Sequence, residues 1–268
     1  MIKTKPIFNV AEHTYINRMN VSYMPVTSFI HSFCKKEDWA AIAQKYIDKR
    51  TSKQIVEEIS SKYNIPISVV YEKFKNEGIN SKTVMYFWDL EKNRACNDGS
   101  NFHNEQEEED IKNNNAIANH ETDAIYDLST LNDGIYTELM IWDDEYLICG
   151  KSDKVIISTD EKNLNPYISI KDYKTNKELK INYNFINKNT GEPVVNKYML
   201  EPISHLVDCN YIHYTLQLSL YAYMLERKGF KVKDLELLHT PNYDKNNMKS
   251  YQLPYMREEI IAMLNTRI

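Results

Sequence analysis

Gly150-Lys-Ser-Asp153, followed one loop later by Ile168-Ser-Ile-Lys-Asp172-Tyr-Lys174, sets two carboxylates and an ammonium on neighbouring strands. Side chains alternate across a strand, so Ile168, Ile170, Asp172 and Lys174 share one face, while Tyr167, Ser169, Lys171 and Tyr173 share the other. An apolar row therefore runs straight into an Asp and a Lys. Charged groups that continue a core-facing row are costly to desolvate unless they pair or bind a cation, and they concentrate at functional sites. The plain reading of the same residues is a buried ion pair at a strand end.

Upstream, Tyr146 to Ile157 is strand-like, with Gly150 allowing close backbone approach near the place where Asp153 meets a metal. Tyr136 to Trp142 reads as the strand before it, turned by Asp143-Asp144-Glu145, which makes a three-strand meander with acids at its working end. Downstream, a helix from about Tyr211 to Arg227 carries His213, Gln217 and Tyr221 as a polar stripe beside an apolar one of Leu216, Leu220 and Met224. Asp234 to Thr240 reads as a strand, Pro241 to Lys249 as a polar loop, Ser250 to Pro254 as a short strand, and Arg257 to Arg267 as an amphipathic helix. The N-terminal part reads as helices: Thr27 to Asp48 capped by Thr27 or Ser28, Ile55 to Tyr63 capped by Ser52, and a third opened by Pro66 and running through Phe74. The last two have the size of a helix-turn-helix, but the second lacks a basic, base-reading face. This order predicts an α/β fold, a central mixed β-sheet flanked by helices, with residues 1–82 as an N-terminal helical portion packed on a core of residues 83–268.

A hard divalent cation, Mg²⁺ or Mn²⁺, takes oxygen ligands, and Asp153 and Asp172 can supply them. The backbone carbonyl of Tyr173 lies between the two functional side chains and adds a neutral ligand. Lys174 can orient or deprotonate an attacking water, or offset charge developing on a phosphate. His103 opens an acidic segment expected to be helical from Phe102 to Ala118. Glu107 lies one turn further on the same face, where it can orient the imidazole, although Glu105 to Asp110 is also what a solvated face looks like. Glu138 is either a further carboxylate or an outward-facing residue of its strand.

In order and spacing, Gly99-Ser100-Asn-Phe-His103 with Glu107, the Asp153 strand, Asp172-x-Lys174 and Gln217-x-x-x-Tyr221 resemble the RecB-like branch of the PD-(D/E)XK nuclease superfamily. Mitochondrial genome-maintenance exonucleases, phage exonucleases and CRISPR-associated adaptation nucleases are other members. The resemblance covers roughly residues 83–264 and implies a restriction-endonuclease-like core. It also implies that His103, Asp153 and Asp172 hold the metal, that Lys174 serves the nucleophilic water, and that Gln217 and Tyr221 line the active site and contact DNA. Ser100 stands where Thr is usual, and Asp172 where Glu is common. The activity implied is a Mg²⁺- or Mn²⁺-dependent deoxyribonuclease, an exonuclease in recombination, repair or viral genome processing. No helicase motif accompanies it, so a separate helicase or recombination protein is an expected partner besides DNA. A structure-specific or restriction-type endonuclease is the alternative within the same chemistry, and a non-catalytic DNA-binding protein the alternative outside it.

The chain has 268 residues with 42% hydrophobic content, enough to bury one sizeable core and an appended helical piece. No run is long enough to span a bilayer, and Met1 to Val10 is not a leader, so an intracellular, cytoplasmic protein of a bacterium or a virus-infected host is expected. The four cysteines, at 34, 96, 149 and 209, lack metal-finger spacing and read as reduced thiols. The cysteine trio with which some RecB-like relatives hold an iron-sulfur cluster is lacking, so no cluster is expected. Net charge is -5, yet Lys171 to Lys197 holds Lys174, Lys177, Lys180, Lys188 and Lys197 with few acids, a stretch suited to following a phosphate backbone around a turn at Asn187 to Pro193. Lys177 and Lys180 are its DNA-contact candidates. Twenty tyrosines reflect an AT-rich coding bias more than a site, with Tyr183, Tyr198 and Tyr211 the only ones placed to stack on bases.

Overall fold

The computed structural model describes residues 5–9, 14–118, 121, 127–160, 166–181, 184–186, 193–195 and 197–267. The chain divides into two compact units, Lys36–Asn101 and the remainder, Met1–Lys35 with Phe102–Ile268.

The larger unit is built on a mixed eight-stranded sheet flanked by helices. Its centre is the expected meander, β4 (Gly134–Asp143), β5 (Ile148–Ser158) and β6 (Tyr167–Lys174), paired antiparallel in sequence order. The alternation in β6 holds as far as Asp172, with Ile168, Ile170 and Asp172 buried and Ser169 and Lys171 half-buried; beyond it Tyr173, expected on the other face, is buried too, and Lys174 is half-buried. A crossover through α6 (Asn210–Glu226) then brings β9 (Lys231–His239) parallel to β6, and β10 (Lys249–Gln252) closes that side antiparallel to β9. Between β6 and α6 the hairpin strands β7 (Asn184–Ile186) and β8 (Pro193–Val195) pair with each other. The turn expected between them lies outside the described residues, as do Lys188 and Tyr183.

Helix α6 is half-buried over its first turn and buried from Thr215 to Ala222 without a break, as suits a crossover helix covered on several sides. It ends before Gly229, whose φ of 103° no other residue type adopts cheaply. Its leucines join Phe29 and Ile30 of α1 (Val26–His31) and Ile260 and Met263 of α7 (Arg257–Leu264) in one core with Trp142, Ile148 and Ile168.

Two expectations change at the N-terminus. The part expected to be helical begins with three strands, β1 (Ile7–Asn9), β2 (Thr14–Ile16) and β3 (Ser22–Pro25), and β3 adds to the main sheet parallel to β5. Each strand is only three or four residues long, too short for alternation to show in the sequence. The helix expected over Thr27 to Asp48 is two helices, α1 and α2 (Trp39–Asp48), with a break at residues 32–38. Pro25 rather than Thr27 or Ser28 precedes α1, and Asp38 caps α2 through Ala41 N–H.

The smaller unit is helical. α3 (Ser52–Tyr63) starts at Thr51, which forms a reciprocal capping box with Gln54, one residue before the expected cap. Asn64, at φ 54°, turns the chain into α4 (Ile67–Glu77), which follows Pro66 as expected. Ala43, Ile55, Ile59, Val70, Phe74, Val84 and Phe87 form the unit's own core. The outer side of α4 exposes Ile67, Val69 and Tyr71, which is not the basic surface of a recognition helix. The helix expected from Phe102 to Ala118 is the last part of a much longer one, α5 (Ser81–Asn114), which passes through Gly99 without interruption.

Among the described residues, no helix is long and apolar enough to cross a membrane.

Candidate metal centre

The registers of β4, β5 and β6 bring three acids to one level of the sheet. Thr137 pairs with Lys154 and Leu139 with Ser152, so Glu138 stands opposite Asp153. Lys154 pairs with Lys171, so the next residues, Asp153 and Asp172, also stand level. Regular geometry lapses here. Glu138 adopts φ 49°, a left-handed conformation that costs a non-glycine residue on the order of 1–3 kcal/mol and persists where surrounding structure holds it. Asp153 Oδ2 accepts the Tyr173 N–H at 2.7 Å.

α5 adds the imidazole, with His103 Nδ1 3.2 Å from Asp153 Oδ1. One ligand atom from each of His103, Glu138 and Asp153 lies within 4.8 Å of the others. Asp172, only 1% exposed, turns its Oδ2 onto Lys174 Nζ, and that ammonium also sits 5.0 Å from the centre of the Tyr214 ring. Glu107 accepts a hydrogen bond from Thr137 Oγ1 at 3.1 Å, so it braces the strand beside Glu138 rather than His103. Tyr173 packs edge-on against Phe102 and His103, which steadies the ring.

The charges at this level are crowded. Burial raises the carboxyl of Glu138, the neighbouring Asp153 raises it further, and it reaches about 7. Burial and Asp153 likewise push Asp172 up to about 6, against the opposing pull of Lys174. Burial acts on Asp153 too, but the hydrogen bond and charge of His103, with Lys174 and the Tyr173 amide, hold it below the usual range. Burial pulls Lys174 down, yet Asp172 and Asp153 outweigh that effect and keep it cationic throughout the neutral range. His103 is also raised, since Asp153 overcomes its burial.

A pH dependence follows for the cation-free protein. The folded chain holds a proton on Glu138 between the ordinary carboxyl range and about 7, where the unfolded chain has released it. That contribution to stability is present at low pH and lost as pH rises through about 7. Glu138→Gln is therefore expected to raise the Tm of the cation-free protein at pH 8, with the difference shrinking towards pH 4.5 in a thermal melt series. Cation ligands must be deprotonated, so Mn²⁺ affinity of the unsubstituted chain should fall as pH drops below about 7.

Gly150 serves a different neighbour from the one its place in the sequence suggests. A Cβ there would lie 2.6 Å from the Tyr221 hydroxyl oxygen and 3.1 Å from its ring, so the missing side chain makes room for α6 rather than for a metal. Tyr221 is 3% exposed and cannot swing away cheaply. Gly150→Ala should destabilise the protein by about 1–3 kcal/mol through overpacking, measured by urea unfolding. Tyr221→Phe in the same chain should recover part of the loss.

Gln217 and Tyr221 are buried one turn apart on α6; burial raises the Tyr221 hydroxyl well above its ordinary range, and Asp172 adds to the shift. Gln217 and Lys174 line a cavity of about 340 Å³ together with His31 and His213. Lys177 and Lys180 are exposed. Two other lysines of the basic stretch are paired: Lys171 bonds Glu236 at 2.6 Å and Lys197 lies 3.2 Å from Asp208. Asp143, Asp144 and Glu145 lead from β4 into the turn before β5, as expected. Asp143 accepts from the amides of Glu145 and Tyr146, and Arg227 binds both Asp143 and Glu145. Nor is Glu105 to Asp110 uniformly solvated, because Gln106 and Asp110 are buried and Asp110 bonds Lys154 at 2.5 Å.

The sequence left Glu138 undecided, and its neighbours across the sheet are what bring it into the ligand group. Comparison with protein-family models and with curated proteins finds no match for this chain.

Proposed function

We propose that this chain is a Mg²⁺- or Mn²⁺-dependent deoxyribonuclease with a restriction-endonuclease-like core, acting as an exonuclease on DNA in recombination, repair or viral genome processing inside the cell. The observation that carries this reading is the convergence of His103, Glu138 and Asp153 within 4.8 Å, beside the buried Asp172–Lys174 pair. The donor set suits a hard divalent cation: an imidazole and two carboxylates, with a third carboxylate at the same level of the sheet. Glu138 is the added ligand, and Asp172 stands one strand further, on Lys174. When bound, the cation would supply Lewis acidity and a more acidic water.

The remaining chemistry belongs to the chain. His103 and Tyr173 N–H fix Asp153 from two sides, so its carboxylate does not have to reorganise. Lys174 is permanently charged, which suits it to positioning a water and offsetting charge on the phosphate, and not to removing a proton. Gln217 borders the cavity that Lys174 also lines, and Tyr221 lies one turn further along α6. Lys177 and Lys180, exposed and shortly after Lys174 in the chain, are the proposed contacts for the DNA backbone, and a separate helicase or recombination protein would supply unwound substrate.

The test is linear DNA labelled separately at its 5′ and 3′ ends, with Mg²⁺, with Mn²⁺ and with chelator. Cation-dependent release of labelled nucleotides from one end, with closed circles left intact, is expected. Cleavage of closed circles would assign the endonuclease alternative, and no cleavage of any form would leave a DNA-binding protein.

A further inference from the structure

We propose that Cys34, Asp208 and His213 form a second cation site, suited to a borderline divalent ion such as Zn²⁺ and separate from the His103 group. The inference stands whether or not the chain cleaves DNA. One ligand atom from each residue lies within 4.8 Å of the other two. Cys34 Sγ is 3.4 Å from His213 Nε2, and the same nitrogen is 2.8 Å from Asp208 Oδ1.

That shared nitrogen is the informative feature. An imidazole nitrogen either donates one hydrogen or accepts one, so it cannot serve a carboxylate and a thiol fully at once. The other contacts of the thiol are weak, 3.9 Å to the Ile30 carbonyl and 4.0 Å to Met199 Sδ. A nucleophile relay is excluded by the same geometry, because it needs the carboxylate on the imidazole nitrogen that faces away from the thiol. A cation between the three groups satisfies all of them. Zn²⁺ bonds of about 2.0–2.3 Å place tetrahedral ligand atoms roughly 3.3–3.7 Å apart; the sulfur–nitrogen distance of 3.4 Å already matches, and the Asp208 oxygen, now 2.8 Å from the imidazole nitrogen, would draw back to admit the ion.

The site is held from outside. Leu200 N–H bonds the Phe33 carbonyl at 2.7 Å, which pins the turn after α1 against the loop before α6, and Asp208 N–H bonds the Lys197 carbonyl at 3.0 Å within that loop. Lys197 Nζ lies 3.2 Å from Asp208 Oδ2, so the carboxylate can give Oδ1 to an ion and keep an outer partner on its second oxygen. Thiolate and carboxylate together balance a divalent charge. Sulfur is what separates the two sites: the His103 group offers only nitrogen and oxygen and favours Mg²⁺ or Mn²⁺, whereas a thiolate favours Zn²⁺. His213 also borders the cavity that contains Gln217 and Lys174, so a water can complete the fourth position. The bound ion would clamp α1 to the start of the helix that carries Gln217 and Tyr221.

The experiment strips the full chain with chelator and titrates it with Co²⁺ under reducing conditions. One equivalent should produce a thiolate-to-cobalt charge-transfer band that Zn²⁺ displaces. Cys34→Ser should abolish the band, His213→Ala should weaken Zn²⁺ binding by at least about 10–100-fold, and Asp153→Asn should leave the band in place. No band in the unsubstituted chain, or a band that survives Cys34→Ser, overturns the proposal. X-ray absorption of the Zn²⁺-loaded unsubstituted chain gives a check that depends on no variant: one sulfur in the zinc shell supports the site, and a shell of nitrogen and oxygen alone rejects it.

Discussion

Lys174→Ala is expected to lower cation-dependent DNA cleavage by about 10²–10³-fold, the loss typical of removing one preorganised charge or donor from a reacting centre. Lys174 is the ammonium nearest the acid row, bonded to Asp172 and held cationic by Asp172 and Asp153 despite its burial. Removing it leaves Asp172, 1% exposed and already raised to about 6, to take up a proton. The level of the sheet then loses one positive and one negative charge together. Single-turnover rates with Mn²⁺, taken well below the melting temperatures of both proteins, separate the chemical loss from any loss of folded protein. A rate within threefold of the unsubstituted chain would remove Lys174 from the proposed chemistry.

Lys154→Met should destabilise the larger unit by about 3–5 kcal/mol, the usual result of stranding one partner of a buried ion pair. Lys154 Nζ and Asp110 meet at 2.5 Å with side chains 11% and 9% exposed, so water can rescue neither. Asn114 donates to the same Asp110 oxygen at 2.9 Å but carries no charge. Adding Asp110→Leu to Lys154→Met should restore most of the loss, because an apolar pair needs no counter-charge. Urea midpoints of the two single variants and the double variant give the coupling directly. Additive losses would show that the pair contributes little as a pair.

The meander and the crossover helix were legible because their patterns are long. β6 alternates from Tyr167 to Asp172, and α6 carries apolar side chains over its seventeen residues. The N-terminal strands were not legible, being three or four residues each, and neither was the start of α5 at Ser81, where Asn, Lys, Arg and Asp dilute any helical stripe. Asp153, Asp172 and Lys174 could be singled out from their strand patterns, and His103 only through the resemblance carried by Gly99-Ser100-Asn-Phe-His103. Glu138 could not be decided, since its place opposite Asp153 is set by a strand register and its left-handed backbone has no Gly or Asn to announce it. Cys34, Asp208 and His213 come from three segments that only folding brings together, so no spacing along the chain marks them as a group. Lys197 and Asp110 show the reverse, charges that read as solvated until their buried partners appear.

The most direct measurement is anomalous X-ray scattering from a crystal of the full chain grown with Mn²⁺. A Mn²⁺ peak bounded by His103, Glu138 and Asp153, and absent from an Asp153→Asn crystal, is the predicted result. A fully occupied Mn²⁺ elsewhere with those three side chains unchanged and empty between them would contradict it.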